Sequence, residues 1–250
     1  MTQTLAADSD MICGGGLTVL LEVVEPGGAC AVALRKIDSL LRRGVASALN
    51  TRLEGEGDAL RAVNHVFTTG PQESGQPSFI RDEGGMRLVE PMIPPASLYI
   101  FGAGHVSLFT ARAGAMVGFR TVVLDDRADY ASRERFPEAD EVVVLDSFDG
   151  CCAGLPMGPD ACIVIVTRGH LHDRNVLAET LRTDAGYVGM IGSQSKRDKI
   201  YASLLADGFT QADIDRCRCP IGLTIGAKTP EEIAVSIVGE LIAFRAGTGR

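Results

Sequence analysis

Leu98-Tyr99-Ile100-Phe101-Gly102-Ala103-Gly104-His105-Val106-Ser107 carries the reading that decides the fold. Four consecutive apolar residues read as a strand buried on both faces, and the glycines directly after them as a tight turn into a helix. That helix follows, with Val106, Phe109, Ala113 and Met116 at helical spacing and Gly118 placed to end it as a left-handed cap. A second strand, Thr121–Leu124, then runs into Asp125-Asp126. In a Rossmann-type βαβ unit the first two glycines let a helix N-terminus approach a pyrophosphate, and an acid about 20 residues on holds ribose hydroxyls. Gly102 and Gly104 fill the glycine positions, Asp125 that of the acid, and Ser107 replaces the third glycine. The same glycines also suit a tight βα turn that binds nothing, and the fold alone does not decide between the two.

Downstream, the short apolar runs Glu141–Leu145, Ala161–Thr167 and Tyr187–Ile191 alternate with helical stretches, the pattern of a doubly wound parallel sheet. The last helix has a full start signal: Thr229 to cap it, Pro230 at its first position, Glu232 to complete a capping box, and an apolar stripe of Ile233, Ile237, Leu241 and Phe244. Residues 97–250 are thus expected to form a Rossmann-like α/β domain. Upstream, Pro71 to Pro95 holds five prolines and three glycines, so residues 71–96 read as a linker with at most one hairpin. Residues 1–70 read as a small α+β segment with a strand at Leu17–Val24 and a helix at Ala31–Arg43.

Composition narrows the function classes. The chain has 250 residues, 46% hydrophobic and 22% charged, which suits a globular protein with a substantial core. Its net charge of −8 and dispersed basic pairs argue against nucleic-acid binding, which takes a concentrated basic face. No apolar run approaches the roughly 20 residues of a membrane span and no signal sequence is evident, so a cytoplasmic location without membrane contact is expected. Seven scattered cysteines then read as reduced thiols. Cys151-Cys152 and Cys217-Arg218-Cys219 lack the spacing of a zinc knuckle. Cys13, ahead of Gly14-Gly15-Gly16, is either an accessible thiol or an ordinary buried one.

Candidate chemistry gathers in the loops after the parallel strands, the edge where open α/β sheets bind ligands. Three of the four histidines are there: His105 after the second glycine, and His170 and His172 in Arg168-Gly169-His170-Leu171-His172-Asp173. Imidazole can carry protons, bond anions or, with Asp173, ligate a divalent metal; the alternative is that His170 and His172 only cap the helix that follows or bond loop carbonyls. Gly192-Ser193-Gln194-Ser195-Lys196-Arg197 opens another helix with two cations, which the helix dipole disfavours by roughly 0.3–1 kcal/mol each unless an anion is bound there. Lys196 and Arg197 are otherwise simply solvated. A fourth loop, Pro220 to Lys228, could close over the same rim.

Taken together, Ile100–Val106, Asp125-Asp126-Arg127, Thr167-Arg168-Gly169-His170 with His172-Asp173, Tyr187–Ser193 with Lys196-Arg197, and Pro220–Leu223 through Thr229–Ala234 resemble the C-terminal domain of the XdhC/CoxI family of xanthine dehydrogenase accessory proteins. Met11-Ile12-Cys13-Gly14-Gly15 resembles that family's Cys-Gly-Gly turn, before which members carry a further small domain. The resemblance implies a truncated N-terminal part, so that full chaperone activity would need another polypeptide to supply the rest. It implies a non-enzymatic chaperone that binds molybdenum cofactor, as molybdopterin or its cytosine dinucleotide form, protects it during sulfuration and delivers it to a xanthine dehydrogenase-type molybdenum hydroxylase. A homodimer, and a cysteine desulfurase as a further partner, belong to the same expectation. The cofactor's phosphate or pyrophosphate would meet the glycine loop and the Gly192–Arg197 loop, with His105, His170 and His172 facing it and Cys13 near the metal or its sulfur. Two alternatives stay open: an NAD(P)-dependent oxidoreductase with Asp125 on the adenosine ribose, and a domain that has lost its ligand and serves only as a docking surface.

Overall fold

A computed structural model describes residues 21–42, 45–55, 60–70, 76–82 and 85–248. The chain divides into two compact units at Pro95/Ala96.

The first unit comprises helix α1 (Ala29–Arg42) and strands β1 (Ser47–Glu54), β2 (Arg61–Thr69), β3 (Ser78–Asp82) and β4 (Gly85–Met92). The strands pair antiparallel in the order β2-β1-β4-β3. The apolar face of α1, Ala33 and Ile37 with Leu41, packs on Leu49, Phe67 and Met92. Two sequence expectations are corrected. Residues 21–24 of the expected Leu17–Val24 strand have no ladder partner, and Leu21, Val23 and Val24 stay exposed; residues 17–20 lie outside the described residues. The expected linker at 71–96 carries its one hairpin, β3 and β4, but β4 is built into the sheet against β1. Its prolines permit this: the β3 pairing ends at Ser78↔Val89, so Pro91 faces only β1 and its missing N–H leaves no donor absent on the other side.

The second unit contains β5 (Ser97–Phe101), α2 (His105–Met116), β6 (Arg120–Asp125), β7 (Glu141–Val144), β8 (Cys162–Ile165), α3 (Gly169–Thr180), β9 (Tyr187–Met190), α4 (Gln194–Ala206), α5 (Gln211–Asp215), β10 (Cys217–Arg218) and α6 (Pro230–Arg245). Its sheet is wholly parallel, in the order β10-β9-β8-β5-β6-β7. The chain winds outward from β5 to β7, returns to lay β8 beside β5, and winds outward again, which makes the β5/β8 boundary the topological switch point. Alternate residues feed two cores. Tyr99, Phe101, Ile163 and Ile165 pack with Val176, Leu177 and Leu204 on one face. Leu98, Ile100, Cys162 and Val164 pack with Ala111, Ile237 and Leu241 on the other. The expected strands, the left-handed Gly118 (φ +82°) and the Thr229/Glu232 capping box are all present. Cys217-Arg218, read in the sequence only as half of a cysteine pair, is the sixth strand. No helix among the described residues is long and apolar enough to cross a membrane.

Candidate functional site

The rim is built outward from the switch point. Gly102 has φ +107°, and a Cβ there would lie 2.5 Å from the Val166 carbonyl oxygen, so only glycine lets the β5 turn pass against the β8 loop. Gly104 differs: it is the N-cap residue of α2 in extended conformation, and a Cβ there would meet nothing within 4 Å. No side chain caps α2 and its first turn holds no acid, so no capping side chain or first-turn carboxylate serves its leading amides. The close packing of α2 on the sheet falls at Gly114, where a Cβ would sit 2.6 Å from Leu98 Cδ2.

Asp125 ends β6, buried and fully engaged. Its Oδ2 accepts from the Ala103 amide at 2.7 Å and from Arg127 Nη2 at 2.9 Å, and its Oδ1 from the Arg127 amide at 3.0 Å and Arg127 Nε at 2.8 Å. Burial pushes this carboxyl up, but the bonds from Arg127 and Ala103 outweigh it and hold Asp125 below the usual carboxylate range. Next to it, Arg168 grips Asp126 with both terminal guanidinium nitrogens, Nη1 to Oδ1 and, at 2.8 Å, Nη2 to Oδ2, which ties the loop after β8 to the loop after β6 across β5.

Asp173, within the first two turns of α3, is also fully buried. Its Oδ1 accepts from the Thr167 amide at 3.1 Å and hydroxyl at 2.5 Å, and its Oδ2 pairs with Lys196 Nζ. Burial raises the Asp173 carboxyl above its ordinary value against the pull of Lys196 and Thr167. Lys196 also donates to the Ile191 carbonyl at 3.3 Å, while Ser193 caps α4 by accepting from the Lys196 amide at 3.3 Å. Arg197 lies on Asp198 and reaches the Cys219 carbonyl at 3.4 Å. Each of these rim cations thus has its own carboxylate. A cleft of about 240 Å³ opens at the ends of β6 and β7, with Leu124, Val143, Leu145 and Leu155 as apolar walls and Asp146 and Ser147 among its polar lining.

A sequence profile of the XdhC Rossmann domain matches residues 98–241, more than half of the chain and all of these loops. The chain belongs to the XdhC family. It is 30% identical over 148 residues to the uncharacterized protein YqeB of Escherichia coli K12, covering 59% of this chain and 27% of that one. To a protein of Bacillus subtilis 168 named as a probable xanthine dehydrogenase subunit it is 27% identical over 164 residues, covering 66% and 47%. The match therefore spans less than half the length of either curated relative. A crystal structure described as a xanthine dehydrogenase from Bacillus halodurans superposes with a TM-score of 0.74 at 26% identity, covering 98% of this chain and 76% of that one.

Within this XdhC chain, Gly102, Gly104, Asp125, Arg168, Asp173, Gly192, Ser193, Lys196 and Arg197 belong to linked loops at one sheet edge. His105 and His170 are exposed in the first turns of α2 and α3, whereas His172 is half-buried with its ring 5.0 Å from that of Phe148. His170, His172 and Asp173 do not gather as metal ligands; Asp173 is turned to Thr167 and Lys196. The ribose role expected for Asp125 meets a carboxylate whose two oxygens are already occupied. Cys13 lies outside the described residues.

Sequence reasoning quoted Arg127 and Thr167 only inside motif blocks, without a role, and missed Glu240. Glu240 was findable, as an acid beside the apolar stripe of α6. Its Oε2 accepts from the Gly222 amide at 2.6 Å and the Tyr187 hydroxyl at 2.8 Å, and its Oε1 from Arg218 at 3.3 Å, so it anchors the Pro220–Lys228 loop. Beyond that anchor Leu223 and Ile225 are exposed.

Proposed function

We propose that this chain is an accessory protein that binds molybdenum cofactor as cargo at the C-terminal edge of its parallel sheet and assists its sulfuration and insertion into a xanthine dehydrogenase-type molybdenum hydroxylase. The observation that carries this reading is the uncapped N-terminus of α2, with clear space at Gly104, at the switch point of an XdhC Rossmann sheet. Free amides and the positive helix end suit the phosphate or pyrophosphate of the cargo. The apolar-walled cleft at the ends of β6 and β7 suits a flat heteroaromatic ring, of the pterin or of a joined cytosine nucleotide. Further support comes from relatives whose names carry xanthine dehydrogenase.

The remaining residues prepare the site. Asp125, by holding the Ala103 amide and Arg127, fixes the glycine turn against the end of β6, and Arg168–Asp126 and Asp173–Lys196 lock the neighbouring loops. Because the cations are paired, the anion meets helix amides and the exposed imidazoles of His105 and His170 instead of a strongly positive cage. Such binding is reversible enough for a carrier that must hand its cargo on. The cargo supplies the molybdenum redox chemistry of the recipient enzyme. Cys13 near the metal or its sulfur, a cysteine desulfurase as sulfur source, and a homodimer complete the proposal.

The test is retention. The purified chain, passed through a molybdopterin-rich extract, is expected to keep about one pterin per chain, read by fluorescence after oxidation, and His105→Ala to keep clearly less. Failure to retain pterin, together with tight calorimetric binding of NAD, would overturn the reading in favour of an oxidoreductase.

A further inference from the structure

The fourth histidine, His65, lies in the first unit, and the sheet register places it. Thr51 on β1 is opposite His65 on β2, and Leu49 on β1 is opposite Glu90 on β4. Leu49, Phe67 and Met92 meet α1, so His65 and Glu90, each two residues from one of these, share the face that α1 covers. Cys30 is the second residue of α1, and Glu22 lies on the segment that leads into it. The carboxylate oxygen of Glu22, the sulfur of Cys30 and an imidazole nitrogen of His65 all lie within 4.8 Å of one another. The His65 side chain is only 7% exposed. Its Nε2 is 2.9 Å from Glu22 Oε1, and its Nδ1 is 3.2 Å from the hydroxyl of buried Thr51.

We propose that Cys30, His65 and Glu22 form a binding site for a divalent transition-metal ion, zinc by the chemistry of its donors. One thiolate, one imidazole and one carboxylate is a zinc-type set, too soft for magnesium or calcium, and three protein ligands leave a fourth position open. Tetrahedral zinc distances set donor atoms about 3.3–3.8 Å apart, so the observed cluster closes with small side-chain rotations. Thr51 orients the ring as outer-shell partners of zinc-bound histidines do: its hydroxyl accepts the Nδ1 proton and leaves Nε2 to the ion. The charges balance, since Cys30 thiolate and Glu22 carboxylate offset the two positive charges. On binding, the Cys30 thiol proton goes to solvent, while the neutral ring's proton moves from Nε2 to Nδ1.

The site lies in the other unit from the proposed cargo rim, so neither reading depends on the other. The test uses the full chain, stripped of metal and titrated with cobalt and zinc. The expected result is one ion per chain, a thiolate-to-cobalt charge-transfer absorption, and protection of Cys30 from alkylation by zinc, read by peptide mass spectrometry on the unaltered protein. Cys30→Ser and His65→Ala should abolish the absorption and weaken zinc binding at least about hundredfold, and Thr51→Val about tenfold or more, in line with loss of an outer-shell partner. Cys219→Ser, in the other unit, should leave both unchanged. Absorption that persists in Cys30→Ser, or equal alkylation of Cys30 with and without zinc, overturns the proposal; the alkylation readout holds even if a variant folds poorly.

Discussion

Gly102 and Gly104 stand two residues apart in one motif and do different work. At Gly102 a side chain would meet the Val166 carbonyl and a left-handed backbone, so Gly102→Ala should lose about 1–3 kcal/mol from the backbone conformation alone, read as a lowered denaturation midpoint. At Gly104 the backbone is ordinary and a Cβ meets nothing within 4 Å, so Gly104→Ala should lower the midpoint less than Gly102→Ala does while reducing retention of pterin severalfold. A matched loss of stability in both variants would contradict this division. Asp125 gives a pH-dependent prediction. Its folded carboxyl titrates below the unfolded value of about 3.9, so the stability it contributes is complete above that pH and is lost as pH falls through the folded value. Asp125→Asn should therefore be destabilised at neutral pH by about 1–3 kcal/mol, from the charged acceptor that Arg127 and Ala103 lose. Urea titrations should show the deficit shrinking below about pH 4.

At the scale of elements, the parallel strands were legible because burial on both faces leaves an uninterrupted apolar run, as in Ile163–Ile165, and the helix ends because Gly118, Thr229 and Glu232 act locally. The first unit was harder to read. Strands β1 and β2, with Asn50, Arg52, Asn64 and Thr68 among their residues, are faced on one side only, and their alternation is diluted by polar residues. β10 is two residues long and has no periodicity to detect. The site loops were legible as positions on a rim, but their pairing was not: that Lys196 meets Asp173 and Arg168 meets Asp126 depends on strand order, which brings together residues distant in sequence. Glu240 tests how an element holds a loop. Glu240→Ala strips acceptors from the Gly222 amide and the Tyr187 hydroxyl, costing about 1–3 kcal/mol. Hydrogen exchange should quicken first in residues 221–226, ahead of the β5–β8 core.

For the molecule as a whole, the division at Pro95/Ala96 separates two sets of cores that share no residue. Every rim group of the proposed cargo site, from Gly102 to Arg197, belongs to residues 96–250, whereas Cys13 and the Glu22–Cys30–His65 cluster belong to the first unit. A fragment of residues 96–250 carries both faces of its own parallel sheet covered by α2, α3, α4 and α6, so it should fold cooperatively and melt in a single transition. It should retain pterin to the extent that the full chain does, because the proposed recognition rests on the α2 amides and the neighbouring loops. It should fail to support sulfuration of the recipient enzyme, since the thiol assigned to that step is gone, and zinc should not raise its melting point as it should raise that of the full chain. A folded fragment without pterin would mean that the first unit contributes part of the cargo site, and the division of labour drawn between the two units would have to be abandoned.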